Sequence, residues 1–166
     1  MAALKQVWDS LEIRVEQNEK ETGLISRTAE YALRAVVCLA DKPDQPLTTQ
    51  QIAELTRVPA GYLSKVLQAL GRAELVVSQR GLHGGFVVGR TPELISVLDV
   101  INAVDPIQRI HTCPLKLKSH GQQLCPLHRR LDDAMAMVEQ AFASTSVAEV
   151  LADPSQSHPL CDALAE

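Results

Sequence analysis

Along most of this chain apolar residues recur at steps of three and four, the period of a helix with one buried face. From Ala2 to about Glu19 the stripe is Leu4, Val7, Trp8, Leu11 and Val15, which predicts an amphipathic helix. Ile25–Ala40 predicts a second helix with a broad apolar face (Ala29, Ala32, Leu33, Val36, Val37, Ala40) and with Ser26 or Thr28 as its cap. Asp41–Leu47, with two prolines, is a loop. Thr48-Thr49-Gln50-Gln51 then has the form of a capping box that opens a short helix through Leu55. Thr56–Pro59 makes a turn into a longer helix that buries Leu63, Val66, Leu67 and Leu70. Here the period changes. Leu75–Gln79 is rich in valine, Gly81, Gly84 and Gly85 interrupt it, and Phe86–Val88 resumes it, the pattern of a hairpin with a long tip. A capping box at Ser96–Asp99, with Ile95 as a staple, starts a helix to about Val104. Periodicity then lapses over residues 105–125 and returns in a long helix from Pro126, whose narrow stripe is Leu131, Met135, Val138 and Phe142. Ser146 and Glu149 cap a last short helix ending near Leu151.

The order helix, short helix, turn, longer helix, hairpin is that of a winged helix-turn-helix, in which the longer helix enters the major groove of DNA and the wing reaches phosphates or the minor groove. The expected fold is therefore mainly α with a small β-hairpin wing, followed by a long C-terminal helix. The chain divides into an N-terminal amphipathic extension (residues 1–24) and a DNA-binding domain (25–104). A Cys/His loop (105–128), a dimerisation helix with a short helix after it (129–151) and a tail (152–166) follow. The stripe on the long helix suits a seam with a second subunit or packing within one subunit equally well. Opposite its apolar face, the longer helix shows Tyr62, Ser64, Lys65, Gln68 and Arg72, all able to donate hydrogen bonds. With Thr49 at the short helix, Arg80, and His83 and Gly84 at the wing tip, these are the candidate DNA-contacting residues.

A formal net charge of −4 argues against a nucleic-acid partner until its distribution is considered. Between Arg57 and Arg90 there are five basic residues and one acidic one, whereas Leu131–Glu166 holds seven acidic residues and no Lys or Arg. Aromatics are only 3% of the chain, which weighs against a sheet that stacks RNA bases. The first residues carry charges throughout, and no apolar run approaches the length of a membrane span, so a cytoplasmic protein with no membrane role is expected. In that compartment the four cysteines are metal ligands, reactive thiols or core residues before they are disulfides. Cys38, inside an apolar run, is expected to be a small buried hydrophobe.

The segment HTCPLKLKSHGQQLCPLHRR concentrates the remaining chemistry. Cys113 and Cys125 are each followed by proline, His128 lies three positions past Cys125, and His111 and His120 are nearby. Thiolates and imidazoles gathered in one loop between helices suit an iron–sulphur cluster or zinc, and Cys113, His120, Cys125 and His128 would satisfy zinc by ligand type. Two thiols without a metal are the alternative. Ser/His/Asp arrangements, phosphate loops and paired carboxylates are absent, and a strand rather than a helix follows Gly81–Gly85, so an enzyme is not expected.

Several of these segments together resemble the IscR/NsrR-type winged helix-turn-helix transcriptional regulators, the Rrf-two family. Thr28-Ala29-Glu30-Tyr31-Ala32-Leu33-Arg34 is similar to the family's first helix. Tyr62-Leu63-Ser64-Lys65-Val66-Leu67 is similar to its recognition helix, and Arg80-Gly81-Leu82-His83-Gly84-Gly85-Phe86 to its wing. The likeness spans about Ile25 to Leu151. It implies a homodimer joined through the long helix that binds a pseudo-palindromic operator in double-stranded DNA, usually as a repressor. It also implies an iron–sulphur cluster in the loop, held by three cysteines spaced six and six. That register gives Cys113, Ser119 and Cys125 here, with serine in the middle place and His120 beside it. The ligands implied are then Cys113 and Cys125, with His128 or His120 third and Glu30 from the other subunit as a fourth. Two thiolates with nitrogen or oxygen donors favour [2Fe–2S] over an all-thiolate cubane. A zinc-bound or empty loop in a DNA-binding regulator is the alternative, and a winged-helix scaffold for protein contacts, through the N-terminal helix, is a third reading.

Overall fold

The computed structural model describes residues 23–81, 84–114 and 124–153. The amphipathic helix expected from Ala2 to about Glu19, the tail from residue 154 on, and His83, Ser119 and His120 lie outside them. The described elements are α1 (Arg27–Asp41), α2 (Thr49–Thr56), α3 (Ala60–Arg72), β1 (Val76–Gln79) and β2 (Gly85–Val88). A 3-10 turn (Pro92–Leu94), α4 (Val97–Val104), α5 (Pro126–Ser144) and α6 (Val147–Ala152) complete the order.

Helix α1 is the axis on which the rest assembles. Ser26 caps it, its side chain accepting from the Ala29 amide. Ala29, Ala32, Ala35, Val36 and Leu39 are all buried, and α2, α3, α4, α6 and β2 pack against this one helix. Alanines at the contacts let several axes approach closely. Cys38 belongs to this core, where burial pushes its thiol up to about 11, so it is inert as a ligand or nucleophile.

The capping boxes fall where the sequence places them, at Thr48/Gln51, Ser96/Asp99 and Ser146/Glu149. Each satisfies two amides that a helix start would otherwise leave open. Arg57 takes a left-handed conformation (φ 56°) that ends α2, and Pro59 precedes α3 as its cap residue. The four expected residues of α3, Leu63, Val66, Leu67 and Leu70, are buried.

The hairpin pairs Val76 with Val88 and Gln79 with Gly85 in antiparallel register. Leu47 adds a third rung. Its amide donates to the Phe86 carbonyl at 3.0 Å and its carbonyl accepts from the Phe86 amide at 2.7 Å, which ties the wing to the loop before α2. This close approach requires glycine at position 85, because a Cβ there would stand 2.6 Å from the Leu47 backbone. Far along the chain, Ser96 bridges Ser146. The Val97 amide donates to the Thr145 carbonyl and the Val147 amide to the Ile95 carbonyl, so the segment after α5 returns to the core, where Val147 is buried.

Helix α5 differs from the others. None of its residues is buried, although it packs along α4. Met135, Val138 and Phe142 of the expected stripe are half-buried, whereas Leu131 is exposed together with Leu127 and Met137.

Candidate functional site

The packing of α3 fixes which of its side chains face outward. With Leu63, Val66, Leu67 and Leu70 turned into the core, Ser64, Lys65, Gln68 and Arg72 share an exposed face. Among the described residues Lys65 and Arg80 enter no ion pair, so their charge is available to an external anion. Arg72 donates to the Gln68 carbonyl and side-chain oxygen (3.4 and 3.3 Å), holding both side chains along the helix face. Between α3 and the hairpin runs a groove of about 520 Å³ lined by Ser64, Gln68, Arg72, Val77, Ser78 and Phe86. At the wing tip the Gly84 amide donates to the Gly81 carbonyl at 3.0 Å. A Cβ on Gly84 would meet the Gln79 carbonyl oxygen at 2.4 Å, so the turn there admits glycine alone. Thr49 is the first residue of α2, next to the cap Thr48. Arg90, counted with the basic stretch, is occupied elsewhere: it donates to the Ala73 carbonyl at the end of α3 and lies 3.9 Å from Glu74.

Tyr62 has internal partners as well as exposure. Its hydroxyl hydrogen-bonds to the Thr28 hydroxyl, and its ring meets the Tyr31 ring edge-on with centroids 5.6 Å apart. Arg34 lies over Tyr31, donates to the Thr56 carbonyl at the end of α2 and forms an ion pair with Glu30. The α1 motif Thr28–Arg34 is thus a buttress behind the helix-turn-helix. Glu30, the candidate ligand in trans, is held by Arg34 of its own subunit.

Cys125 is the cap residue of α5 and Pro126 its first residue. Proline fits there because the first amide of a helix has no internal acceptor. One turn on, His128 places Nδ1 3.3 Å from the Cys125 sulphur. Cys113 is half-buried at the far limb of the loop. The described residues thus bring Cys125 and His128 together; His120 is outside them, and no group of three or more metal-binding side chains forms among them.

One residue absent from the sequence expectations stands at the loop's base. Arg109 forks onto Asp132, Nε and Nη2 each donating at 2.7 Å, while Nη1 donates to Glu139 at 2.8 Å. The Ile110 amide donates to the same Asp132 carboxylate at 2.9 Å. These bonds hold the Asp132 carboxyl down at about 2 and raise the Arg109 guanidinium further above its usual range. Only the spacing of Asp132 and Glu139, seven residues apart on one helix face, marks them in the sequence.

A family model described as "Rrf2: Iron-dependent Transcriptional regulator" matches residues 25–153. A protein of Aquifex aeolicus (strain VF5) named as an HTH-type transcriptional regulator is 25% identical over 131 residues, covering 77% of this chain and 91% of that protein. Among solved structures, T. potens IscR superposes with a TM-score of 0.66 at 25% identity, covering 80% of this chain and 88% of its own. CymR (YrzC), described as the global cysteine regulator of B. subtilis, superposes with a TM-score of 0.64 at 25% identity, covering 76% and 94%.

Proposed function

Since this chain belongs to the Rrf2 family of transcriptional regulators, and so is a helix-turn-helix regulator and not an enzyme, we propose that it represses as a homodimer on a pseudo-palindromic operator under the control of a [2Fe–2S] cluster. In this reading residues 25–104 are the reading head, 105–128 the sensing loop and 129–151 the dimerisation segment. The observation that carries it is the single outward face of α3, Ser64, Lys65, Gln68 and Arg72, set rigidly beside the wing by four buried neighbours. Lys65 and Arg80 neutralise phosphates or donate to guanine edges. Gln68, Ser64 and Tyr62 read or position bases, Thr49 faces phosphate at the start of α2, and Gly84 with His83 brings the wing tip to the minor groove. The bare α5 supports a second subunit, because Leu127, Leu131 and Met137 stand exposed on a helix with no buried residue.

The donor set fits a thiolate-ligated group. A cysteine sulphur, soft as a thiolate, and a borderline imidazole nitrogen 3.3 Å apart at one helix end are close enough to serve one centre. Cys113, Cys125 and His128 or His120 would hold it, with Glu30 from the other subunit, and the bound group would supply a redox-sensitive tie across the loop. Arg34 engages one of the two carboxylate oxygens of Glu30, and it also touches Tyr31 and Thr56, behind the recognition helix.

Two measurements test this reading. Arg80→Ala should weaken binding to an operator selected from random duplexes, and unchanged affinity would remove the wing from the interface. Anaerobically purified protein should carry iron, sulphide and a visible charge-transfer spectrum. A colourless, iron-free protein that still binds its operator leaves the zinc or empty-loop reading.

A further inference from the structure

The base of the cysteine loop is closed by hydrogen bonds to α5. Residues 105–125 hold no helix or strand among those described, yet at Arg109 and Ile110 the chain is fixed to α5 by four hydrogen bonds, three from the guanidinium and one from the backbone. Asp132 accepts from both Arg109 and Ile110, so the chain direction as well as its position is set at this point. Asp132 lies seven residues along α5 from Cys125, and at the helical rise that is about 10 Å. From Ile110 to Cys113 there are three residues, whose extended reach is also about 10 Å. A chain anchored at Asp132 therefore has the length to bring Cys113 level with the start of α5, where Cys125 and His128 sit.

We propose that Arg109 is the positioning residue of the cysteine loop, clamping it to Asp132 and Glu139 so that Cys113 is kept within chain reach of Cys125 and His128. The inference rests on the reading of Cys113 and Cys125 as ligands of one centre, but the clamp is a property of side chains that never touch that centre. Arginine is required by the geometry. A planar fork meets one carboxylate with two parallel bonds and a second carboxylate with a third, whereas a lysine is a single point of attachment. The clamp acts as a second tether on the N-terminal side of Cys113: with it, Cys113 is held near α5 at high effective concentration relative to Cys125, and without it the two are joined only through the residues between them.

The test uses dibromobimane, which bridges two neighbouring thiols and becomes fluorescent when it does. It is applied to the reduced, anaerobic full-length protein carrying Cys161→Ser after iron is removed with a chelator, iron and sulphide content having been measured on the same preparations beforehand. Arg109→Gln and Asp132→Asn should slow bridging of Cys113 to Cys125 by about tenfold, Arg109→Lys by less, and each should shorten cluster lifetime in the same order. Thermal midpoints and far-UV circular dichroism identify the variants whose winged-helix core is intact. If Arg109→Gln does not fold, Arg109→Lys and Asp132→Asn decide. Bridging at the wild-type rate in folded variants overturns the clamp even if the wild type holds iron. A wild type without iron whose bridging still depends on Arg109 upholds the clamp and refutes the ligand reading alone.

Discussion

In the proposed interface each side chain has its own part: among the described residues Lys65 and Arg80 are cations outside any ion pair, while Gln68 and Arg72 are held together along one helix face. Lys65, Gln68 and Arg72 could be assigned from helical spacing, because four apolar neighbours leave them one direction to point. Tyr62 is half legible. Its place beside the interface follows from the helix, but its bond to Thr28 and its edge contact with Tyr31 join residues 34 and 31 positions apart, which no local pattern encodes. Arg109 was illegible for the same reason, since its partners are 23 and 30 residues away. Removing Lys65 or Arg80 should reduce the slope of log affinity against log salt by about one for each phosphate left without its cation, read by fluorescence anisotropy over a salt series. Gly85→Ala should cost about 1–3 kcal/mol in urea unfolding, because its Cβ must displace the Leu47 strand. A wild-type unfolding curve for that variant would show that the Leu47–Phe86 rung is loose.

At the scale of elements, starts were legible and pairings were not. Helix starts are written locally, in a Ser or Thr followed three positions later by Gln, Asp or Glu, and all three boxes form. The hairpin was visible from the change of period, to within a residue at each strand. The Leu47–Phe86 and Ser96–Ser146 bridges, and the 3-10 turn at Pro92–Leu94, depend on where separate segments meet. The α5 stripe falls at steps of four, three and four, yet Leu131 is exposed while its other members are half-buried on a helix that packs along α4. Replacing Ser146 by alanine removes one cap bond and should lower stability by about 0.5–2 kcal/mol, measured by thermal or urea unfolding. Leu67→Ala opens the core behind the recognition helix and should cost about 2–5 kcal/mol, with loss of DNA binding as the helix loosens.

Across the whole molecule, an acidic chain with a net charge of −4 presents Lys65, Arg72 and Arg80 on its reading head and keeps its acidic surplus on and after α5. On α5 part of that surplus is structural: Asp132 and Glu139 hold the loop through Arg109. Because the folded-state pKa of Asp132 is depressed, from 3.8 to about 2, its contribution is complete above about pH 4 and is lost as pH falls through 2. The stability gap between wild type and Asp132→Asn should therefore stay constant from neutral pH to about 4 and narrow below it. A gap that widened on acidification would show that Asp132 is not stabilised as a carboxylate. No described helix is long and apolar enough to cross a membrane. Under the proposed control, the state of the 113–128 loop would set how tightly α3 and the wing hold DNA. It is tested most directly by anaerobic fluorescence anisotropy on a selected operator duplex, comparing the cluster-loaded protein with the same preparation after chelation. The two forms should differ in affinity by at least about fivefold, the lower end of a functional coupling. Equal affinities for the two forms would contradict it.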